Sequence, residues 1–130
     1  LNDTFYKGKY YINTKDKIDC VINAGAKNDD DVNVIIEHKS PSNKSEMITT
    51  SDINKKALQE SILYYMRERF HKDGKDNNTN LKQILITNNI DVFIFDAVII
   101  ENLFAKNKKF KKDFIEFEAG QKSGGDTGFF

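Results

Sequence analysis

The sequence predicts an α/β fold, a mixed β-sheet flanked by α-helices, and three observations lead to it. Two β-branched runs, Lys17–Asn23 and Val32–Lys39, are separated by a polar turn. A long stretch from Asn54 to Phe70 repeats its apolar residues at helical spacing. Two further short apolar runs are followed by phenylalanines spaced for a second helix, so the order β-β-β, helix, β, β, helix emerges.

The elements follow in order. Residues from Tyr6 to Ile12 are rich in tyrosine and suit a first strand. KIDCVIN alternates as a second strand, and VNVIIEHK is apolar until it ends on charge, as a buried third strand would be. The AGAKNDDD between them is a turn, so the two strands form a long antiparallel hairpin. Its Asp29, Asp30 and Asp31 lack the alternate spacing and central glycine of a calcium loop and read as a solvated turn.

Pro41 and Asn43 end the third strand, and Ser51 or Asp52 is expected to cap a helix beginning near Ile53. Leu58, Ile62, Tyr65 and Arg69, with Ala57, Ser61 and Tyr64 alongside, give that helix one apolar face. HKDGKDNNTN reads as a polar loop without core-forming residues. KQILITN and VFIFDA are strand-length runs separated by Asn-Asn-Ile-Asp, and Ile99, Leu103 and Phe104 begin another helix. Phe110, Phe114 and Phe117 then form the apolar stripe of the last helix, before a glycine-rich tail. The expected division is a core over residues 1–118 and a linker or tail over 119–130.

Composition is that of a folded globular domain: 38% hydrophobic and 31% charged residues with zero formal net charge. A neutral chain does not hold nucleic acid by overall charge, so any such grip is local or supplied by other domains. The single cysteine, Cys20, has no internal disulfide partner and suits a reducing, cytoplasmic setting. No secretory leader opens the chain and no apolar run is long enough to suggest a membrane span. The missing initial methionine and the Phe129-Phe130 ending read as those of a piece of a longer polypeptide.

The residues that carry chemistry are Asp19 on the second strand and Glu37-His38-Lys39 at the end of the third. Side chains alternate across a strand, so Glu37 and Lys39 share a face with Ile35 while His38 turns to the other. A hairpin symmetric about Asn28 brings Asp19 directly opposite Glu37. Two carboxylates meeting there repel each other unless a cation bridges them, and hard oxygen ligands of this kind suit Mg²⁺ or Mn²⁺.

An acid, a gap and Glu-x-Lys on adjacent strands resembles the PD-(D/E)XK nuclease superfamily. The resemblance extends through INTKDKIDCVIN, VIIEHKSPSNKSEM, KALQESILYYMRER, ILITN, VFIFDA and FEAGQKSGGDTGFF. Together these segments resemble the N-terminal nuclease region of single-chain type II restriction-modification enzymes. The resemblance implies a restriction-endonuclease-like fold and a site-specific, Mg²⁺-dependent cleavage of DNA, with Mn²⁺ able to substitute. It implies Asp19 and Glu37 as metal ligands, and Asp19, Glu37 and Lys39 as the catalytic set. Lys39 would act as base or as electrostatic clamp. The expected partners are DNA and the rest of the parent polypeptide, with its methyltransferase and target-recognition regions.

QESILYY resembles the glutamine and tyrosine that some branches carry on the following helix, which makes Gln59 a candidate accessory residue. Here Tyr64 falls five residues after Gln59 instead of four. No Asn-Pro-Pro-aromatic motif and no glycine-rich cofactor loop occurs, so no S-adenosylmethionine site is expected within these residues. Ser40, Ser42 and Lys44 lie beside the catalytic strand end and are candidates for contacting DNA. Arg67, Arg69, Lys72 and Lys75, and the lysines from 106 to 112, read first as solvated faces. His38 and His71 lack zinc spacing. Two other readings stand beside the restriction nuclease: a non-catalytic nuclease-fold module for DNA binding or assembly, and a DNA repair nuclease.

Overall fold

The computed structural model of the protein describes residues 11–15, 18–25 and 31–121, without the side chains of Tyr11, Asn13, Thr14, Lys15, Ile18 and Asp19. It is an α/β structure built on a five-stranded mixed sheet whose spatial order follows the sequence. Strands β1 (Tyr11–Lys15), β2 (Ile18–Asn23) and β3 (Val32–His38) form an antiparallel meander. Helix α1 (Lys56–Arg69) then crosses back, so that β4 (Gln83–Thr87) lies parallel to β3. Strand β5 (Val92–Asp96) returns antiparallel to β4. A short helix α2 (Ala97–Ile100), a π-helical turn (Glu101–Ala105) and helix α3 (Lys108–Glu118) complete the described chain.

Strand alternation places the core. Register joins Val21 to Ile35, Ile35 to Ile84 and Ile84 to Phe95, a row in which the first three side chains are wholly buried. The next row on this face runs Glu37, Ile86, Phe93, so Glu37 is set at the rim of the apolar layer. Helix α1 packs against β3 and β4, burying Leu58, Ile62, Tyr65 and Met66. Ala57 and Ser61 are also fully buried, and their small side chains let the helix approach closely. The Ser61 hydroxyl donates to the Ala57 carbonyl at 2.7 Å, which satisfies it without a partner on the sheet.

Of the tyrosine-rich stretch expected as a first strand, residues 6–10 lie outside the described residues; the described strand is Tyr11–Lys15. Two details differ from the sequence expectations. Helix α1 starts at Lys56, not near Ile53, and its N-cap Lys55 makes no side-chain cap. The side chains expected to cap are engaged elsewhere: the Ser51 hydroxyl meets that of Thr49 at 3.3 Å, and the Asp52 carboxylate pairs with Lys55 at 2.9 Å. Capping groups spent on local contacts are not available to start a helix.

The 71–80 loop is the second difference, since it is more than a polar connection. Asn78 is buried and its side-chain amide donates to the Val32 carbonyl at 2.8 Å, pinning the loop to β3. Gly74 has φ +82°, a left-handed conformation, and a Cβ there would stand 2.6 Å from the end of the Ile115 side chain of α3, so this turn favours glycine.

The β4–β5 turn follows its sequence signal. Asn88 accepts hydrogen bonds from the amides of Ile90 and Asp91, and Asn89 takes a left-handed conformation with φ 70°. Asp96 caps α2 through the Val98 amide, and Asn107 caps α3 through that of Phe110. Phe110 and Phe114 are buried as the apolar stripe requires, with Phe110 edge-on to Phe104 at 5.0 Å between ring centroids.

Candidate active site

The β2–β3 register decides whether an acid on one strand can meet the acid on the next. Cys20 pairs with Ile36, Val21 with Ile35 and Ile22 with Val34. Continued by one residue along β2, this register puts the Asp19 position across from Glu37, the arrangement that symmetry about residue 28 predicts. The pairing shifts only at the other end, between Ile22 and Asn23, where Asn23 faces Val32. The side chain of Asp19 lies outside the described residues.

Glu37 is only 3% exposed, and Lys39 follows on the same side just past the end of β3, its amide bonded to the Thr87 carbonyl of β4 at 2.9 Å. The strand period therefore brings the acid and the ammonium together, with Lys39 Nζ 3.0 Å from Glu37 Oε1. His38, between them, is exposed.

The structure adds groups to which the sequence did not point. Lys39 Nζ lies 2.6 Å from Glu60 Oε2 on α1 and 3.4 Å from Glu46 Oε2 in the segment before it. Lys56 binds Glu46 at 2.8 Å and approaches Glu60 at 3.9 Å. Asn43 donates to the other Glu46 oxygen at 2.9 Å, and the Ala57 amide donates to the Glu46 carbonyl at 3.0 Å, fixing this segment against the start of α1. The signal that existed for Glu60 was its i, i+4 spacing from Lys56 on a face flanked by the small residues Ala57 and Ser61. Glu46, in an irregular segment, had none.

Gln59 is not brought to Lys39. Its side chain donates instead to Asn54 at 3.1 Å at the start of α1, and the next residue, Glu60, is the one that reaches the lysine. Ser40, Ser42 and Lys44 form an exposed turn directly after Lys39, with the two serine hydroxyls 2.9 Å apart and the Asn43 amide closing on the Ser40 carbonyl. Many of the basic residues farther along are engaged structurally. Arg69 holds Glu101 and Asp76, Arg67 holds Glu118, and Lys109 and Lys112 pair with acids one turn ahead on α3.

The electrostatics follow from this geometry. Burial acts to lower the Lys39 pKa, but the hydrogen bonds to Glu60 and Glu37 and the charges of both acids outweigh it, so the ammonium is held above the ordinary lysine range. Lys39 is therefore charged here, as a clamp on negative charge requires. The Glu46 carboxyl is brought down to about 2, chiefly by the hydrogen bond from Lys56 and then by that from Asn43. A depressed carboxyl stabilises the fold above its unfolded pKa and loses that contribution as pH falls through the folded value. Glu46→Gln is accordingly expected to flatten the acid limb of stability, measured by thermal melts from neutral pH down to about pH 2. Melts that track the parent protein over the whole range would remove Glu46 from the acid response.

Among the described residues no group of three or more His, Cys, Asp or Glu side chains is placed to hold a metal ion, and no helix is long and apolar enough to cross a membrane. The acids and lysine at the end of β3 thus define an α/β domain with a charged cluster set into the rim of its core. The protein belongs to the family described as Domain of unknown function (DUF7149), whose model matches residues 1–130. No curated protein and no solved structure matches the chain.

Proposed function

We propose that the protein is a metal-dependent DNA endonuclease domain of the PD-(D/E)XK type, cutting phosphodiester bonds with Asp19, Glu37 and Lys39. The observation that carries this reading is the meeting of Glu37 and Lys39 at the buried end of β3, in a register that sets the Asp19 position opposite. A surface charge pair would not place a glutamate 3% exposed beside an apolar row. The meander followed by a crossover helix and a parallel strand also fits the restriction-endonuclease-like fold that the sequence resemblance implies.

The chemistry of Asp19 and Glu37 as a pair of hard oxygen donors suits a divalent cation. Three carboxylates, Glu37, Glu46 and Glu60, face two ammonium groups, Lys39 and Lys56, so the cluster carries excess negative charge before Asp19 is counted. Carboxylate oxygens from adjacent strands are the ligands that Mg²⁺ or Mn²⁺ prefers. Asp19 and Glu37 would hold the ion, which when bound polarises a phosphoryl oxygen and lowers the pKa of water.

The chain's own groups do the rest. Lys39 presents a fixed positive charge to the phosphate, where negative charge grows as the nucleophile adds. The exposed turn of Ser40, Ser42 and Lys44 follows immediately and offers donors to neighbouring phosphates of the backbone. Sequence recognition and methylation fall to other parts of a parent polypeptide, and a cytoplasmic setting accords with a single cysteine, Cys20, that forms no disulfide.

Covalently closed circular DNA tests the reading against its rivals. Incubated with the intact protein and Mg²⁺, it should be nicked or linearised, because an endonuclease needs no ends. A repair exonuclease would digest only linear DNA, and a binding module would retain both forms uncut.

A further inference from the structure

We infer that Glu60 of α1 is the positioning residue for Lys39, fixing its ammonium so that Glu37 is left to serve a divalent cation. The catalytic consequence rests on the nuclease reading above; the tether itself does not. The shortest contact of Lys39 Nζ is to Glu60, at 2.6 Å, and not to Glu37 two residues before it, at 3.0 Å. The lysine side chain is only 11% exposed, so its charge needs a lasting counterion.

Glu37 cannot be that counterion alone if it also binds a metal. A cation on Glu37 would repel an ammonium on the same strand face, and without another anion the flexible lysine stem would swing out to water. Glu60 approaches from the helix, across from the sheet, and so holds the ammonium from the other side. Glu46 supports it at 3.4 Å and is itself anchored by Lys56 and Asn43. An ammonium has three donors, and three carboxylates surround this one. Glu60 and Glu46 would therefore keep Lys39 compensated if Glu37 held an ion.

Two substitutions separate charge from shape: Glu60→Gln keeps the size and an acceptor, and Glu60→Asp keeps the charge on a shorter stem. The first measurement needs no activity. In intact protein carrying ¹⁵N-labelled lysine, the Lys39 ammonium should exchange its hydrogens slowly enough to give a ¹H–¹⁵N signal, unlike the exposed Lys109. Exchange at Lys39 should quicken about tenfold or more in Glu60→Gln, as the loss of a charged hydrogen bond requires, and much of the protection should return in Glu60→Asp. The second measurement is single-turnover cleavage of closed circular DNA with Mg²⁺. Glu60→Gln should slow it about 10- to 100-fold, the effect of a misplaced catalytic group, while DNA affinity measured in Ca²⁺ stays within about twofold. Glu60→Asp should recover part of the rate.

Unchanged exchange at Lys39 in Glu60→Gln would overturn the assignment, and so would faster exchange with undiminished cleavage. Cleavage lost in Glu60→Gln, restored by excess Mg²⁺ and accompanied by unchanged exchange, would make Glu60 a metal ligand and overturn it as well. Protected exchange that depends on Glu60, in a protein that cuts no DNA, would support the tether and refute the nuclease reading instead.

Discussion

Lys39→Ala is expected to lower DNA cleavage by about 10²- to 10³-fold or more, the cost of removing a preorganised group that stabilises transition-state charge. Glu37→Ala should lose as much, because the same substitution removes a proposed metal ligand and the nearest strand partner of Lys39. The two variants should differ in stability. Without Lys39, the buried Glu37 and its neighbours Glu46 and Glu60 lose the ammonium that links them, and roughly 1–3 kcal/mol of stability should go with it. Without Glu37, Lys39 keeps Glu60 and Glu46 and the fold should suffer less. Single-turnover cleavage and denaturant melts of both variants check these expectations. Full-rate cutting by folded Lys39→Ala would remove the lysine from the mechanism.

The second large effect concerns the ion. Mg²⁺ or Mn²⁺ should support cleavage, a chelator should reduce it to background, and Ca²⁺ should allow DNA binding while supporting little or no cutting. Ca²⁺ takes a larger, looser coordination shell and activates water poorly, whereas the smaller ions demand close oxygen ligands. Electrophoresis of closed circular DNA after incubation with each ion reads the result. Cutting that persists in a chelator would end the metal-dependent account.

The parts of the fold that were legible in the sequence are those set by hydrophobic periodicity. Val32–His38 reads as a buried strand because its apolar residues precede a charged end, and of the three phenylalanines expected to line α3, Phe110 and Phe114 are buried while Phe117 is only half-buried. Boundaries were less legible: Ser51 and Asp52 look like caps, yet their side chains meet Thr49 and Lys55 and α1 starts at Lys56. Ile99, Leu103 and Phe104 marked a helix here, but nothing in their spacing marked the π-helical turn at Glu101–Ala105. It accompanies contacts between distant elements, with Glu101 accepting from the Tyr65 hydroxyl at 2.7 Å and from Arg69. The buried role of Asn78 is of the same kind, since its partner is the carbonyl of Val32 on another element.

The candidate site divides along the same line. Glu37 and Lys39 were legible as a pair because strand alternation is local, and the position of Asp19 followed from hairpin symmetry. Glu60 and Glu46 were not, because which helix residue reaches a strand end depends on how α1 is rotated against the sheet. That rotation is fixed by burial of Ala57, Leu58, Ser61 and Ile62, and it turns Glu60 toward Lys39 while Gln59 meets Asn54. The glutamine motif therefore drew notice to the residue just before the one that makes the contact.

The central claim, that DNA is cut by the acid and lysine at the end of β3, is tested most directly by one comparison. Intact protein and its Glu37→Ala variant, each shown to be folded, are incubated with supercoiled plasmid and Mg²⁺, and the loss of the supercoiled form is followed in time. The account predicts conversion to open circular or linear DNA by the parent protein and none above background by the variant. Equal conversion by both, or none by the parent protein, would contradict it.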